Sequence, residues 1–327
     1  MDARVAGDVL MGGRTGIGFG MEGKGVAGKI GPSDLSSLAA FLLLGVVAVS
    51  WGLTWPVNKE LLVYAPPIWT VALRYVVASA AVALVASGLG RLSLPPRQDI
   101  PVVLSISVLH MVIFGVLCSI GLLYVPAGRS VLLAYTTPLW VFPFARLMIG
   151  EPLTRRRLLA LACGVCGLGI LVNPLAIDWL DRNVLIGHGL ILLAAIVWAS
   201  SIVYARKHRW ASDPFDLLFW QTSLACVILF GLAFAVEGWP DIRIDGHFIL
   251  LLLFSGGVGT AVAFWALNTV NRALPATATA IGLLGVPVLG VLCSTLAFGE
   301  PVTVAVLLAM ALIVGGIAIG VAGKAGQ

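Results

Sequence analysis

Gly150-Glu151-Pro152-Leu153-Thr154 and Gly299-Glu300-Pro301-Val302-Thr303 are near copies of each other, set in opposite halves of the chain. The likeness continues upstream of both. Pro138 precedes the first copy and Pro287 the second, and further back lie Pro126-Ala127 and Pro275-Ala276. These three pairs keep one spacing of 149 residues (151 to 300, 138 to 287, 126 to 275). Nearer the start of each half, Trp51 with Trp198, Pro67 with Pro214 and Arg74 with Gln221 keep a spacing of 147. A short insertion in a loop accounts for the difference. The chain reads as one unit written twice, and in an apolar chain such duplication points to a carrier that holds its solute where the halves meet.

Apolar residues make up 60% of the 327-residue chain and charged ones only 11%, against roughly a quarter charged in a soluble domain. The apolar runs recur at about 20 residues, enough to cross a bilayer as helix. They predict ten spans, near 36–58, 67–88, 101–123, 128–149, 155–173, 187–206, 214–236, 247–270, 275–298 and 302–322. The runs are continuously apolar and do not alternate, which argues against a transmembrane β-barrel. A backbone facing lipid must satisfy its own hydrogen bonds, which leaves helices.

Net charge is +5, and its placement matters more than its sum. Basic residues cluster in the second, fourth and sixth connections: Arg91 and Arg97, then Arg155-Arg156-Arg157, then Arg206-Lys207 with Arg209. The odd-numbered connections hold one or none (Lys59, Arg129, Arg182, Arg243). This bias sets both termini on the cytoplasmic side of a cytoplasmic (inner) membrane. It is an orientation signal, and no nucleic-acid partner is expected. Five spans per half is an odd number, so the second unit enters the membrane from the opposite side. The expected fold is therefore an all-α membrane protein of about ten transmembrane helices, built as two inverted five-helix repeats. The domain plan is a flexible cytoplasmic tail over 1–35, a first repeat over 36–174, an external linker over 175–186 and a second repeat over 187–323.

An ionisable side chain within a span is costly in hydrocarbon, so each is a candidate for function. Arg74, in the second span, reads either as the anchor of a substrate carboxylate through a forked hydrogen bond or as a structural arginine on freed backbone carbonyls. His110, midway along the third, reads as a substrate contact or as a satisfied interhelical histidine. Gln221, the repeat partner of Arg74, holds either substrate or a neighbouring helix. Trp51 and Trp55 are four residues apart and share a helix face. With Tyr135, Trp198 and Trp265 they are the aromatic candidates for a cavity wall, plain packing being the other reading. Trp69, Trp140 and Trp220 read as interface anchors. Pro138 and Pro287 each remove an amide donor inside a span and are candidate hinges. Glu151 and Glu300, each followed by proline, read as carboxylates at the first turn of a helix, where free amides and the dipole favour them. Gly164, Gly167, Gly169, Gly315, Gly316 and Gly320 make small faces on the fifth and tenth spans, suited to a seam between repeats or to a homodimer contact.

Other chemistry is not written here. The five cysteines lie inside apolar runs, and Cys163-x-x-Cys166 is a lone pair that reads as packing. Gly18-Phe19-Gly20 has neither a preceding strand nor a Gly-Lys-Ser/Thr ending, so it is not a phosphate loop. His110, His188, His208 and His247 are scattered, with no metal spacing and no paired acids. No cofactor, no metal and no enzymatic activity are expected.

With these residues in place, the chain resembles the drug/metabolite transporter superfamily, in its EamA-type ten-helix branch. The resemblance rests on Trp51-Gly52 with Pro56 and Lys59, on Pro67 with Arg74, on Tyr124-x-x-Ala127, Pro138 and Gly150-Glu151-Pro152-Leu153. The second half adds Gly259-Thr260, Asn268, Leu274-Pro275-Ala276, Pro287 and Gly299-Glu300-Pro301. It covers about 36–323 and implies secondary transport by alternating access, commonly export of amino acids or related metabolites. It also implies that the first four helices of each half line a cavity and that the fifth and tenth pack outside. A carrier of cationic drugs would need a mid-span acid, and none is present. A carrier of phosphates would need several converging cations. Aromatics with one arginine, a histidine and a glutamine suit a small zwitterion with an apolar side chain. An exporter of amino acids or related small metabolites is the expected function, with a passive solute channel, or an exporter of other small drugs or metabolites, as the rival.

Overall fold

The computed structural model describes residues 36–172, 181–274 and 276–322. The expected tail, the first half of the linker (175–180) and Pro275 lie outside the described residues. Every described element is helical. α1 covers Ser37–Leu61 and α2 Pro67–Gly88. α3 (Ile100–Ser105) passes through a π-helical segment, Ile106–Ile113, into α4 (Phe114–Tyr124). α5 (Ala127–Ala134), α6 (Thr137–Ile149) and α7 (Arg155–Val172) follow. In the second half come α8 (Arg182–Lys207) and α9 (Pro214–Val236). α10 (Gly246–Leu253) passes through a second π segment, Phe254–Val262, into α11 (Ala263–Ala273). The described chain closes with α12 (Ala276–Leu283), α13 (Gly285–Phe298) and α14 (Val304–Ala322).

Seven helical stretches are long and apolar enough to cross a membrane: Leu38–Leu61, Pro67–Gly88, Ile100–Tyr124, Ala127–Ile149, Arg182–Lys207, Pro214–Val236 and Gly246–Val270. Gly285–Phe298 and Val304–Gly320 are shorter apolar helices, and α7 opens with three arginines. The ninth expected span is thus not one continuous helix. It is broken at Leu284, between α12 and α13.

Local chemistry explains the ends. Pro67 and Pro214 start α2 and α9, where a missing amide costs nothing. Asp181, Asp213 and Asp245 accept from the first-turn amides of Asn183, Phe215 and Phe248. The duplicated Gly-Glu-Pro motif is a helix stop followed by a helix start. Gly150 and Gly299 sit at φ 76° and 64°, the left-handed conformation that closes α6 and α13. Thr154 and Thr303 then accept from the amides of Arg157 and Val306. The N-caps are therefore these threonines. Glu151 and Glu300 stand before α7 and α14, outside the helices, which corrects the reading of them as first-turn residues.

Pro138 and Pro287 break their spans as expected. A proline cannot donate to the carbonyl four residues back. α5 ends at Ala134, four before Pro138, and α12 ends at Leu283, four before Pro287. The Thr137 hydroxyl donates to the freed Ala134 carbonyl at 2.7 Å, and Thr136 donates to Leu133 O at 2.6 Å.

The most extensive helix pairings all join the first half to the second, and they come in matched sets. α2 packs on α9, and α7 on α14; α1 packs on α13 and α11, as α8 packs on α6 and α4. Glycine sets the α7–α14 seam. A Cβ on Gly316 would stand 2.9 Å from the Ala160 carbonyl oxygen, and one on Gly167 3.0 Å from that of Ala309. Gly169 and Gly315 meet nothing within 4 Å, so only part of the small-residue face is used in this seam. Trp69 is no interface anchor. It is 2% exposed, packed edge-on against Phe230 and Phe234.

Gly316→Ala is expected to destabilise the fold by about 1–3 kcal/mol through overpacking against backbone. Gly315→Ala, with open space and better helix propensity, is expected to be neutral or stabilising. Thermal unfolding of the two purified variants in one detergent checks the contrast.

Candidate functional site

Two cavities meet at the centre of the bundle. The smaller, about 110 Å³, is lined by Trp55, Asn58, Thr70, Arg74, Tyr75 and Ser119 among others. The larger, about 750 Å³, extends past Pro138, Gln221 and Asn268 to Arg157, Arg206 and His208, the end of the bundle that carries the arginine clusters. Trp51, His110, Tyr135, Trp198 and Phe264 line both.

These shared residues form an aromatic partition. His110 stacks on Trp198 with ring centroids 5.0 Å apart and planes 10° from parallel. Phe114 and Tyr135 approach Trp198 at 5.0 and 6.2 Å, and Trp51 meets Phe264 edge-on at 5.8 Å. Such offset and edge-on pairs follow from the ring quadrupole. The backbone explains the gathering. His110 lies on the first π segment, where the wider turn re-aims side chains. Tyr135 sits at the break between α5 and α6. In the second π segment, Gly256 lets the helix lie against α2, since a Cβ there would stand 2.5 Å from the Arg74 carbonyl oxygen.

Of the residues expected from sequence, Trp51, Trp55, Arg74, His110, Tyr135, Trp198 and Gln221 line one or both cavities. Trp265 does not. It is 40% exposed on the outer face of α11, and its neighbour Phe264 takes the inward position. One residue is a rotation of about 100° on a helix, enough to change face. Phe264, Phe114, Tyr75 and Ser119 were missed. Phe264 and Phe114 look like any apolar residue in a span, and no polar signal distinguishes them.

Arg74 is in no ion pair among the described residues, and its Nε is shut from solvent without a hydrogen-bond partner. Its guanidinium carbon lies 5.0 Å from the Tyr75 ring centroid, a cation–π distance. The neighbouring hydroxyls are occupied: Ser119 donates to Pro67 O, Thr54 to Ser50 O and Thr70 to Pro66 O. Asn58 Oδ1 accepts from Ser255.

Beyond the small cavity, the bundle end is tied by charged side chains on helix termini. The Glu300 carboxylate accepts from the Ala127 and Gly128 amides at 2.7 and 2.9 Å, so it caps α5 in the other half. Glu237 accepts from Ile68 and Trp69 at the start of α2 at 2.9 and 3.1 Å. Lys59 donates to the carbonyls of Leu122 and Val125 at the end of α4. Anions at helix N-termini and a cation at a C-terminus match the dipoles.

At the opposite end, Asp99 accepts from the Ala211 and Ser212 amides at 3.0 and 2.8 Å and meets His208 Nε2 at 2.9 Å. Burial pushes this carboxyl's pKa up, but the three hydrogen-bonding partners outweigh it and hold the pKa below the usual range. A depressed carboxylate stabilises the fold above its unfolded pKa, and that contribution fades as pH falls through the folded value. Arg157 pairs with Glu151 at 2.7 Å, and Arg91 with Asp216 at 2.7 Å. Among the described residues no cluster of His, Cys, Asp or Glu could hold a metal ion.

Asp99→Asn is expected to lower the unfolding midpoint at neutral pH, with the gap from the parent protein closing as pH is taken down through the lowered Asp99 range. Glu300→Ala, which leaves two amides without their acceptor, is expected to cost about 1–3 kcal/mol. Thermal melts across pH check both.

The EamA-like transporter family model matches residues 38–173 and, a second time, 185–321. A Bacillus subtilis protein named as the uncharacterized transporter YvbV is 27% identical over 274 residues, covering 84% of this chain and 88% of the relative. A probable amino-acid metabolite efflux pump of Escherichia coli is 26% identical over 289 residues, covering 85% and 93%. A solved structure superposes with a TM-score of 0.63 at 20% identity, covering 87% of this chain and 96% of its own, a likeness of fold. With apolar helices long enough to cross a bilayer several times and two matches that together take in most of its length, the chain is a multi-pass membrane protein belonging to the EamA-like transporter family.

Proposed function

We propose that the protein exports amino acids or related small metabolites across the cytoplasmic membrane by alternating access, as a carrier that makes and breaks no covalent bond. Ten spans in two inverted five-helix repeats, 36–174 and 187–323 with a linker at 175–186, underlie the cycle, and both termini are cytoplasmic. The matched helix pairings support the inverted repeat. The basic clusters at one end support the orientation.

The observation that carries the reading is the pair of cavities joined at one aromatic partition. The larger reaches the arginine-rich end, while the other end is tied by Lys59, Glu237 and Glu300. A solute enters from the basic side, reaches the partition of Trp51, His110, Tyr135, Trp198 and Phe264, and is met by Arg74 beyond it. Trp55 and Gln221 complete the two walls. Release on the far side requires the helix-end ties to part, with the broken spans at Pro138 and Pro287 as hinges. A passive channel would need both ends open together, and its flux would not saturate.

Counterflow in proteoliposomes, with a panel of labelled amino acids and related carboxylates, tests the reading. Saturable uptake above empty vesicles is expected, and none for any member of the panel ends it. Arg74→Ala and Trp198→Ala are expected to lower transport roughly tenfold or more at unchanged membrane abundance. Trp265→Ala is expected to leave it intact. Equal losses of folded protein for the first two variants would make their roles structural.

A further inference from the structure

We infer that the central site selects a monoanionic organic solute, a carboxylate without a fixed positive charge, and that the protein moves it with net transfer of charge. The inference rests on the transporter reading above and, within its amino acids and related metabolites, favours the related carboxylates over the zwitterionic amino acids.

Among the described residues, Arg74 is the one side chain of fixed charge lining the small cavity. Arginine does not deprotonate in proteins. Arg74 is half-buried, with its Nε shut from solvent, and a guanidinium drawn into a low-dielectric interior ordinarily has a carboxylate beside it. Here no acid of the described residues pairs with it, and one of its donors is unmet. The missing counter-charge is what the solute supplies. A monoanion makes the occupied site neutral. A zwitterion leaves it positive, and an amine adds a second positive charge.

The polar groups around Arg74 do not reverse that balance. An ammonium would need a charged acceptor to offset it, and Asn58 Oδ1, which accepts from Ser255, offers only a neutral lone pair. The hydroxyls of Thr54 and Ser119 offer only neutral lone pairs, weaker than a charged partner. Ring faces attract a cation, but the ring of Tyr75 already lies under Arg74 and one face of Trp198 is covered by His110, and an ammonium on any remaining face adds to the Arg74 charge without offsetting it. The aromatic partition instead suits a flat or branched apolar body trailing the carboxylate. On this account the empty carrier is positive at the site and the loaded one neutral. An inside-negative potential then favours outward movement of the anion, and no coupling ion is needed.

The test uses the full chain in proteoliposomes with three probes of one shape and different charge: hydrocinnamate, L-phenylalanine and phenethylamine. Counterflow of hydrocinnamate is expected to exceed that of phenylalanine by roughly tenfold, with phenethylamine at the level of empty vesicles. A valinomycin-imposed inside-negative potential is expected to speed hydrocinnamate efflux. Arg74→Lys is expected to keep the preference and Arg74→Gln to erase it. Should Arg74→Gln not fold, the charge series on the parent protein decides alone. Phenylalanine moving as fast as hydrocinnamate, or anion efflux indifferent to potential, would overturn the inference and leave the transporter reading standing. Absence of counterflow for the whole amino-acid and carboxylate panel would remove both.

Discussion

A helix end inside an apolar bundle leaves amides or carbonyls that water is not there to meet. Much of the charge buried between these helices answers that need. Glu300 closes the start of α5, Glu237 the start of α2 and Lys59 the end of α4, while Asp99 gathers the amides before α9. Each bond crosses between elements distant in sequence, so capping and tertiary assembly are the same interaction. Arg74 stands apart. It ends no helix and neutralises no acid among the described residues, and it faces a cavity.

The cavity exists because the helices around it are imperfect in matched places. π segments at Ile106–Ile113 and Phe254–Val262 widen two of them. Proline breaks at Ala134 and Leu283 interrupt two more. These departures set His110 beside Trp198 and put Tyr135 at a turn between helices. Threonine hydroxyls take up part of the freed backbone, as at Ala134 and Leu133. Irregular backbone at such depth is tolerated where it lines a cavity or is covered by protein.

Much of this was legible beforehand. The paired prolines marked the breaks because proline's missing donor acts on its own chain, four residues away. Arg74 and His110 were conspicuous because charge is rare in an apolar run. Trp51, Trp55, Tyr135, Trp198 and Gln221 stood out for a similar reason of rarity, and they line one or both cavities. Trp265 lines neither cavity and Phe264, which was passed over, lines both, because the facing of a helix without a polar stripe is set by its neighbours. Trp69, read as an interface anchor, proved to be a core residue between α2 and α9 for the same reason.

The sequence by itself determined what depends on composition and short-range geometry: apolar helices, their doubling and the proline interruptions. Only the tertiary structure decided which helix each charge would cap, which face of α11 would turn inward, and that Arg74 would be left without an acid among the described residues. Those outcomes depend on which distant groups come within hydrogen-bond reach. Glu300 lies beside α14 in the chain, yet its carboxylate rests on α5, because the free amides nearest to it in space belong to the other half of the molecule.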